Sequence, residues 1–472
     1  LFSLSNQSEV HLTGAGTGTT ENIQIGNNNA RPELSVTDGS TLSVTTTSGT
    51  TAATDTANNA IHLRGPDPKA IFNDAELNIE IISGSRRGLY LNGINSDLRI
   101  LDSNIEVKTS SNTSAIEILE SNNGSAVIRN SKVSIPTGYL YLMTGETLEI
   151  DNSEIDSARL FHNAINVVIK NNSFVNLQQD GTRSAGGFVS PRLPTEGVMG
   201  SDRPGQTILI TTAAIVSIKR SDGMGASGHG LRMGSGNSTV FVEQGGKLYV
   251  DNVGNGIPND SQNGAPNAGV SFRNGNNNKF IVKDPGSEVS IIAENGAAIT
   301  NSWGSTKFSM DLEVSNGGYL SAVSNTATTA SGTFNVATLN VNFDNPLFLD
   351  FRNLQSNGGV VFSSGIASTL TASNSDLALW QRLSDLDSDP TFNFRRLDYS
   401  FSGSNLSTLV STSSPEQLNT SVIGNSGLSP FSRLSSNNGR WAIADELRVP
   451  TNADKKIHGR VSLPVGLDDS RP

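Results

Sequence analysis

A short pattern of apolar and polar positions recurs along the chain: apolar, any residue, Asp or Asn, small, any residue, apolar. It reads Ile100-Leu101-Asp102-Ser103-Asn104-Ile105 and, one repeat later, Ile128-Arg129-Asn130-Ser131-Lys132-Val133. Apolar and polar residues alternate on both sides of the Asx residue, which predicts two short strands with one face inward. Asp and Asn tolerate left-handed backbone angles, so the pattern predicts a bend between the strands. Stacked bends would let Asn amides bond to neighbouring coils.

A second pattern lies between the copies of the first: small, apolar, any residue, apolar. Examples are Ala60-Ile61-His62-Leu63 and Gly88-Leu89-Tyr90-Leu91, and the same pattern is expected at Gly187-Phe188-Val189. We expect the middle position, such as His62, to face solvent. Successive copies of the first pattern lie 28 (72 to 100), 28 (100 to 128), 22 (128 to 150) and 19 (150 to 169) residues apart. A fixed local pattern at such spacing indicates a β-solenoid with two or three strands per coil.

Composition supports stacked coils rather than a conventional globular core. Only 35% of the 472 residues are hydrophobic and 16% are charged, and a solenoid layer needs few inward side chains. The absence of Cys excludes a disulfide framework, a thiol nucleophile and a Cys-ligated zinc site. A net charge of -11 argues against a nucleic-acid surface. The sequence contains no run of about 20 apolar residues, so no membrane-spanning helix is predicted.

The pattern fades from about residue 325, where Phe becomes frequent. The chain is therefore expected to divide into a parallel β-helix at 1–325, C-terminal coils with a capping subdomain at 326–450, and a linker or the start of a stalk domain at 451–472. Ser375 to Leu383 is the best helix candidate, with Ser375 as N-cap. Because Leu1 starts without a signal peptide, we expect a piece of a larger, multidomain protein.

Several segments resemble the pectate-lyase-like adhesive domain of Gram-positive cell-wall surface proteins. They are the solenoid patterns, Asn342 to Asn353 and Ser375 to Trp380, and the tail from Leu447 resembles the start of an immunoglobulin-like stalk. The resemblance implies an all-β fold, a right-handed parallel β-helix displayed at the tip of a stalk. It also implies an extracellular location at the bacterial cell wall and binding of host or microbial surface ligands.

Candidate binding residues come from long insertions between the two patterns. The gap from the first pattern to the second grows to 18 (169 to 187), 20 (210 to 230) and 27 (242 to 269) residues in three consecutive copies. We expect these insertions to lie side by side at one corner, as a groove or patch for a polymer such as a glycan. A fringe of Gly/Asn loops is the alternative. The candidate ligand-binding residues are Asp180, Arg183, Arg220, Asp222, His229, Asp251, Asp260 and Trp303, the last of which could stack on a sugar or pack under a loop.

Catalysis and metal binding have weaker signals. Two loop carboxylates could act in a glycoside hydrolase, but the chain lacks the Trp-Ile-Asp-His-type signature of pectate lyases, and no catalytic residue is assigned. Asp385, Asp387 and Asp389 alternate as in calcium loops. The Gly and the distant Glu of an EF-hand are missing and Pro390 follows, so a structural calcium competes with a solvated acidic turn.

The sequence thus predicts an extracellular adhesin domain rather than an enzyme, monomeric within its parent protein and acting in attachment or biofilm formation. Its expected partner is a host or microbial glycan or matrix protein, with no nucleic acid and no membrane insertion. The main alternative is a secreted polysaccharide lyase or glycoside hydrolase on the same fold, and a purely structural spacer is the third.

Overall fold

The structure of the chain is a computed structural model. No residue that it describes lies in a helix, so none of these residues belongs to a helix able to cross a membrane. The described residues are 1–16, 23–48, 59–82, 87–109, 113–119, 123–179, 197–200, 203–220, 229–252, 268–272, 274–294, 296–303, 306–324, 332–344, 346–353, 360–363, 369–373, 379–382, 394–396, 441–443 and 462–464.

The chain forms two compact units, Leu1–Gly234 and Ser235–Pro472. In the first unit, three rows of parallel strands follow one another in each coil, and Glu33–Ser48 and Lys69–Ile81 run through both row 1 and row 2. The other strands of row 1 are Phe2–Leu4, Asp97–Leu101, Gly124–Arg129, Gly145–Asp151, Asn166–Lys170 and Thr207–Ile210. Those of row 2 are Glu9–Gly16, Asn104–Lys108, Lys132–Thr137, Glu154–Ser157, Phe174–Gln179 and Ile215–Arg220. Row 3 contains Ile23–Ile25, Asn59–Arg64, Arg87–Asn92, Ser114–Ile118, Tyr139–Leu142, Leu160–His162, Gly197–Gly200 and His229–Met233.

The second unit has the same three-row organisation. Its row 1 contains Thr239–Val242, Asn278–Lys283, Ser309–Ser315, Thr338–Asp344 and Thr369–Ser373. Its row 2 contains Lys247–Asn252, Glu288–Ala293, Tyr319–Ser324, Phe348–Asn353 and Leu379–Arg382. Its row 3 contains Val270–Phe272, Ile299–Trp303, Gly332–Asn335 and Val360–Ser363. Three antiparallel pairs complete the described part of the unit. Thr306–Lys307 pairs with Ile299–Trp303, Phe394–Arg396 with Leu379–Arg382, and Trp441–Ile443 with Ser462–Pro464.

The fold is therefore an all-β parallel β-helix, as the repeated patterns predict. Alternate residues of rows 1 and 2 point inward and are fully buried, as Ile100 and Ile105 are in one coil. Each such side chain contributes about 1.5–3 kcal/mol when it leaves water. Because parallel pairing places equivalent residues of successive coils in contact, the inward side chains form continuous apolar columns.

The Asx residue of the first pattern takes the left-handed conformation that the sequence predicts. The φ angle is 49° at Asp102, 48° at Asn130 and 45° at Asn152. This conformation is costly for most L-residues and least so for Gly, Asn and Asp. The repeated Asx choice is thus explained by the bend between rows 1 and 2.

The small residue after the Asx has a second role that the sequence pattern does not reveal. The hydroxyl of Ser131 donates to the carbonyl oxygen of Arg129 at 2.6 Å and accepts from the Ser103 backbone N–H at 3.0 Å. Ser153 accepts from the Ser131 N–H in the same way at 3.1 Å. This buried serine ladder satisfies backbone groups that a tight bend would leave unpaired.

Two predictions on local structure are wrong, and a third concerns residues that the structure does not describe. Leu379–Arg382 is a strand, so the predicted helix does not form over these residues, and the rest of Ser375–Leu383 lies outside the described residues. Leu377 and Leu379 also fit an alternation of period two. Gly187-Phe188-Val189 lies outside the described residues, and Gly197–Gly200 takes its expected place in row 3. His62 is 3% exposed rather than facing solvent, and its ring stacks on Tyr90 with centroids 4.8 Å apart.

Candidate functional site

An open groove of about 900 Å³ follows the bends of the first unit. It spans six successive coils, from Gly39 and Thr41 to Asn172 and Phe174. At about 4.8 Å per coil, its length is about 24 Å. The groove is therefore long and open to solvent, a shape that suits an extended polymer better than a compact small molecule.

One wall of the groove is the column of bend residues. The Asn130 side-chain amide donates to a carboxylate oxygen of Asp102 at 3.0 Å, and the Asn152 amide donates to the Asn130 amide oxygen at 2.9 Å. These bonds confirm the predicted stacking of Asx side chains between coils. The column is Asp74, Asp102, Asn130, Asn152 and Asn172.

The other wall is the first outward position of row 2, which the register aligns from coil to coil. Lys132 and Glu154 form an exposed ion pair at 3.2 Å, and Phe174 is 41% exposed at the next coil. An exposed ring beside polar side chains suits a ligand with both apolar faces and hydroxyl groups. This column is Thr41, Glu76, Asn104, Lys132, Glu154 and Phe174.

The floor between the two walls is the buried column of Ala75, Ser103, Ser131 and Ser153. Since the serine ladder ties each floor residue to the next coil, the walls are held on consecutive rungs of a hydrogen-bonded scaffold. A site that is already ordered before binding loses less conformational entropy when the ligand arrives.

Cations beside the groove are already paired. Arg129 contacts Glu149 at 2.8 Å and Asp151 at 3.4 Å, and Lys170 lies 3.5 Å from Glu149. The hydrogen bond that Arg129 donates to Glu149, together with the negative charge of that carboxylate, raises the pKa of the Arg129 guanidinium. Because these positive charges are balanced by adjacent carboxylates, they add little net positive potential to the groove.

Row 3 also carries polar side chains, but they are buried. The Arg87 guanidinium contacts the Glu117 carboxylate at 2.6 Å and lies 4.7 Å from the Tyr90 ring centroid. Ser114 donates a second hydrogen bond to Glu117. His162 is fully buried at an inward position, and this burial lowers the pKa of its imidazole to about 4. We interpret these groups as structural because they are not presented to solvent.

The predicted binding residues are only partly described. Arg220 ends a row 2 strand and His229 begins a row 3 strand; both are buried. Asp251 is half-exposed in Lys247–Asn252 of the second unit, and Trp303 ends the strand Ile299–Trp303. The remaining candidates, Asp180, Arg183, Asp222 and Asp260, lie outside the described residues.

The ends of the long insertions are nevertheless visible. In the first unit, the insertions at 180–196 and 221–228 leave row 2 from the paired residues Gln179 and Arg220. They re-enter row 3 at the paired residues Gly197 and His229. In the second unit, the insertion at 253–267 also lies between rows 2 and 3. Whether this corner binds a ligand stays a prediction.

Among the residues that the structure describes, no group of three or more His, Cys, Asp or Glu side chains is placed to hold a metal ion. The candidate calcium ligands Asp385, Asp387 and Asp389 lie outside this part of the chain. The calcium site therefore stays a prediction.

The groove itself is the feature that sequence reasoning missed. Its residues belong to the first repeated pattern, which the sequence explains through bend formation alone. The available signal was the variable position after the small residue, which reads Asn104, Lys132, Glu154 and Phe174 in successive coils. A strand position that alternates with buried residues and carries such diverse side chains faces outward.

No family model, no curated protein and no solved structure matches the chain. The resemblance to the pectate-lyase-like adhesive domain therefore stays a prediction.

Proposed function

We propose that the chain is an extracellular adhesive domain of a bacterial surface protein, and that its groove binds an extended glycan chain for attachment. The observation that carries the proposal is the groove of six coils, in which amide, carboxylate, ammonium and phenyl groups line one continuous channel. Sugar hydroxyls both donate and accept hydrogen bonds, so they can pair with each of the polar groups.

Phe174 is the residue on which this proposal is most sharply tested. Its ring is exposed at one end of the channel, and the neighbouring position of the same column is the charged Glu154. The apolar face of a sugar ring can cover the phenyl ring while its hydroxyls reach the amides of Asn152 and Asn172.

The test is binding of the full chain to soluble neutral and amino-bearing polysaccharides, measured by titration calorimetry. Phe174→Ala should weaken binding about tenfold, equivalent to about 1.4 kcal/mol. Ile292→Ala is the matched control, because Ile292 is 42% exposed and does not line the groove.

Failure of every glycan to bind, or equal binding by Phe174→Ala, would overturn the proposal. The same incubations are analysed for new reducing or unsaturated ends. Their appearance would replace the adhesive function with the alternative of a polysaccharide lyase or glycoside hydrolase.

A further inference from the structure

The groove does not carry the same charge along its length. Its first half contains the carboxylates of Asp74, Glu76 and Asp102, and its second half contains the Lys132–Glu154 ion pair, three Asn residues and Phe174. The bend column accordingly changes from carboxylate to amide after Asp102. The groove therefore has an acidic end, at Asp74 and Glu76, and a nearly neutral end, at Phe174.

Two of the three carboxylates of the acidic end accept hydrogen bonds from neutral side chains. Glu76 accepts from the Asn78 amide at 3.1 Å and from the Thr41 hydroxyl at 3.5 Å, and Asp102 accepts from the Asn130 amide. Among the described residues, no Lys or Arg lies within ion-pair distance of Asp74, Glu76 or Asp102. Asp102 lies close enough to Arg129 to contribute to the raised pKa of that guanidinium, whereas the charges of Asp74 and Glu76 are balanced mainly by solvent, which a ligand would displace.

Covering an ionised carboxylate without a counter-charge is unfavourable, whereas a positive charge placed against it removes that cost. A uronate chain would bring further negative charges to the same place. A neutral glycan would supply hydroxyl donors without charge. A glycan with free amino groups would supply both the donors and the counter-charge.

We propose that the ligand of the groove is a glycan that carries free amino groups. Its ammonium groups lie over Asp74, Glu76 and Asp102, and an uncharged sugar ring lies on Phe174. This inference rests on the proposed function, because the groove and its phenyl ring define the binding space and the carboxylates only decide the charge of what it holds.

The test compares three oligosaccharide probes of matched length on the full chain: glucosamine oligomers from chitosan, their fully N-acetylated forms, and oligogalacturonate. At low ionic strength, and at a pH where the amines are protonated, affinity should fall in that order. Added salt should weaken binding of the glucosamine oligomer and leave that of the N-acetylated form nearly unchanged, because only the former relies on charge.

The double variant Glu76→Gln with Asp102→Asn removes the charges and keeps the side-chain shapes. It should weaken binding of the glucosamine oligomer at least tenfold more than binding of the N-acetylated oligomer, and so remove the preference for free amino groups. The control is Glu146→Gln, which removes one exposed carboxylate that does not line the groove and should leave both affinities unchanged.

The outcomes separate the two proposals. If none of the three probes binds, the proposed function fails. If the probes bind but oligogalacturonate equals or exceeds the glucosamine oligomer, or the double variant keeps the wild-type preference, the glycan-binding function stands and the amino-glycan inference is overturned.

Discussion

Rows 2 and 3 of the first unit share an alternation of apolar residues, but their outward side chains meet opposite environments. Outward residues of row 2, such as Lys132 and Glu154, are exposed along the groove. Outward residues of row 3, such as Glu117 and Tyr141, are buried. Alternation thus identifies which side chains point into the interior of the β-helix, but it does not tell whether the opposite face is exposed to solvent. The four predictions that follow test this difference.

The largest effect is expected from breaking the same type of ion pair in each row. Glu117→Gln removes the charge that pairs with Arg87. Because both side chains are mostly buried, the free energy of unfolding should fall by about 3 kcal/mol. Glu154→Gln breaks the exposed pair with Lys132 and should change stability by about 0.5 kcal/mol or less. Urea unfolding of both variants measures the difference. Equal losses would show that rows 2 and 3 do not differ in this respect.

His162 tests an inward position of row 3. It occupies the register position of Leu142, and burial lowers the pKa of its imidazole to about 4, below the ordinary value of 6.5. The unfolded chain therefore binds a proton more readily, so stability present above about pH 6.5 is lost as the pH falls towards 4. The loss amounts to about 3 kcal/mol.

His162→Leu should remove most of this loss between pH 6.5 and 4, as judged by thermal unfolding across that range. His11→Gln is the control, because it removes an exposed histidine. If the wild-type and His162→Leu proteins lost thermal stability equally between pH 6.5 and 4, buried His162 would not be the cause of that loss.

The bend between rows 1 and 2 is tested by the serine ladder. Ser131→Ala leaves the buried Ser103 N–H without its acceptor. It also removes one of the two hydrogen bonds that the Arg129 carbonyl accepts, the other being donated by the Asp102 N–H. The free energy of unfolding should fall by about 1–2 kcal/mol. Ser134→Ala, at a half-exposed outward position of the same strand, should stay within about 0.5 kcal/mol. The ladder would lose its stabilising role if the two substitutions were equivalent.

The smallest effect concerns the wall of the groove. Asn152→Gly keeps access to the left-handed φ of 45° and removes only the side-chain hydrogen bond to Asn130. The free energy of unfolding should therefore fall by well under about 1 kcal/mol. Asn152→Ala loses the bond and also places Ala in a strained conformation, which adds about 1–2 kcal/mol. Unfolding of the two variants separates the conformational from the hydrogen-bonding role. If the Gly variant were as unstable as the Ala variant, the loss of stability would come from the side-chain hydrogen bond and not from backbone strain.

The repeated patterns allowed the strands and the Asx bends to be predicted because their signals are local. The φ of Asp102 follows from its own side chain, and the burial of Ile100 follows from its place in the alternation. The helix at Ser375–Leu383 was predicted from spacing that a strand also satisfies. Leu379 pairs with Phe351 of the preceding coil, and this pairing makes the segment a strand. No short stretch of sequence around Leu379 indicates that contact.

The candidate site was harder to predict for the same reason. Insertion lengths drew attention to Arg220 and His229, which are buried, while the groove is made from positions that look interchangeable in any single repeat. Lys132, Glu154 and Phe174 become one wall only when register places them on successive coils.

By itself, the order of residues determined the all-β character of the chain, the short strands, the left-handed Asx corners and the inward apolar columns. Each depends on conformational preference and side-chain polarity within a few residues. Tertiary structure alone decided that Arg87 meets Glu117, that the serine hydroxyls join coils, and that one outward face is open while another is buried. These outcomes depend on the stacking register between residues about 20 to 30 positions apart, and no short stretch of sequence encodes that distance.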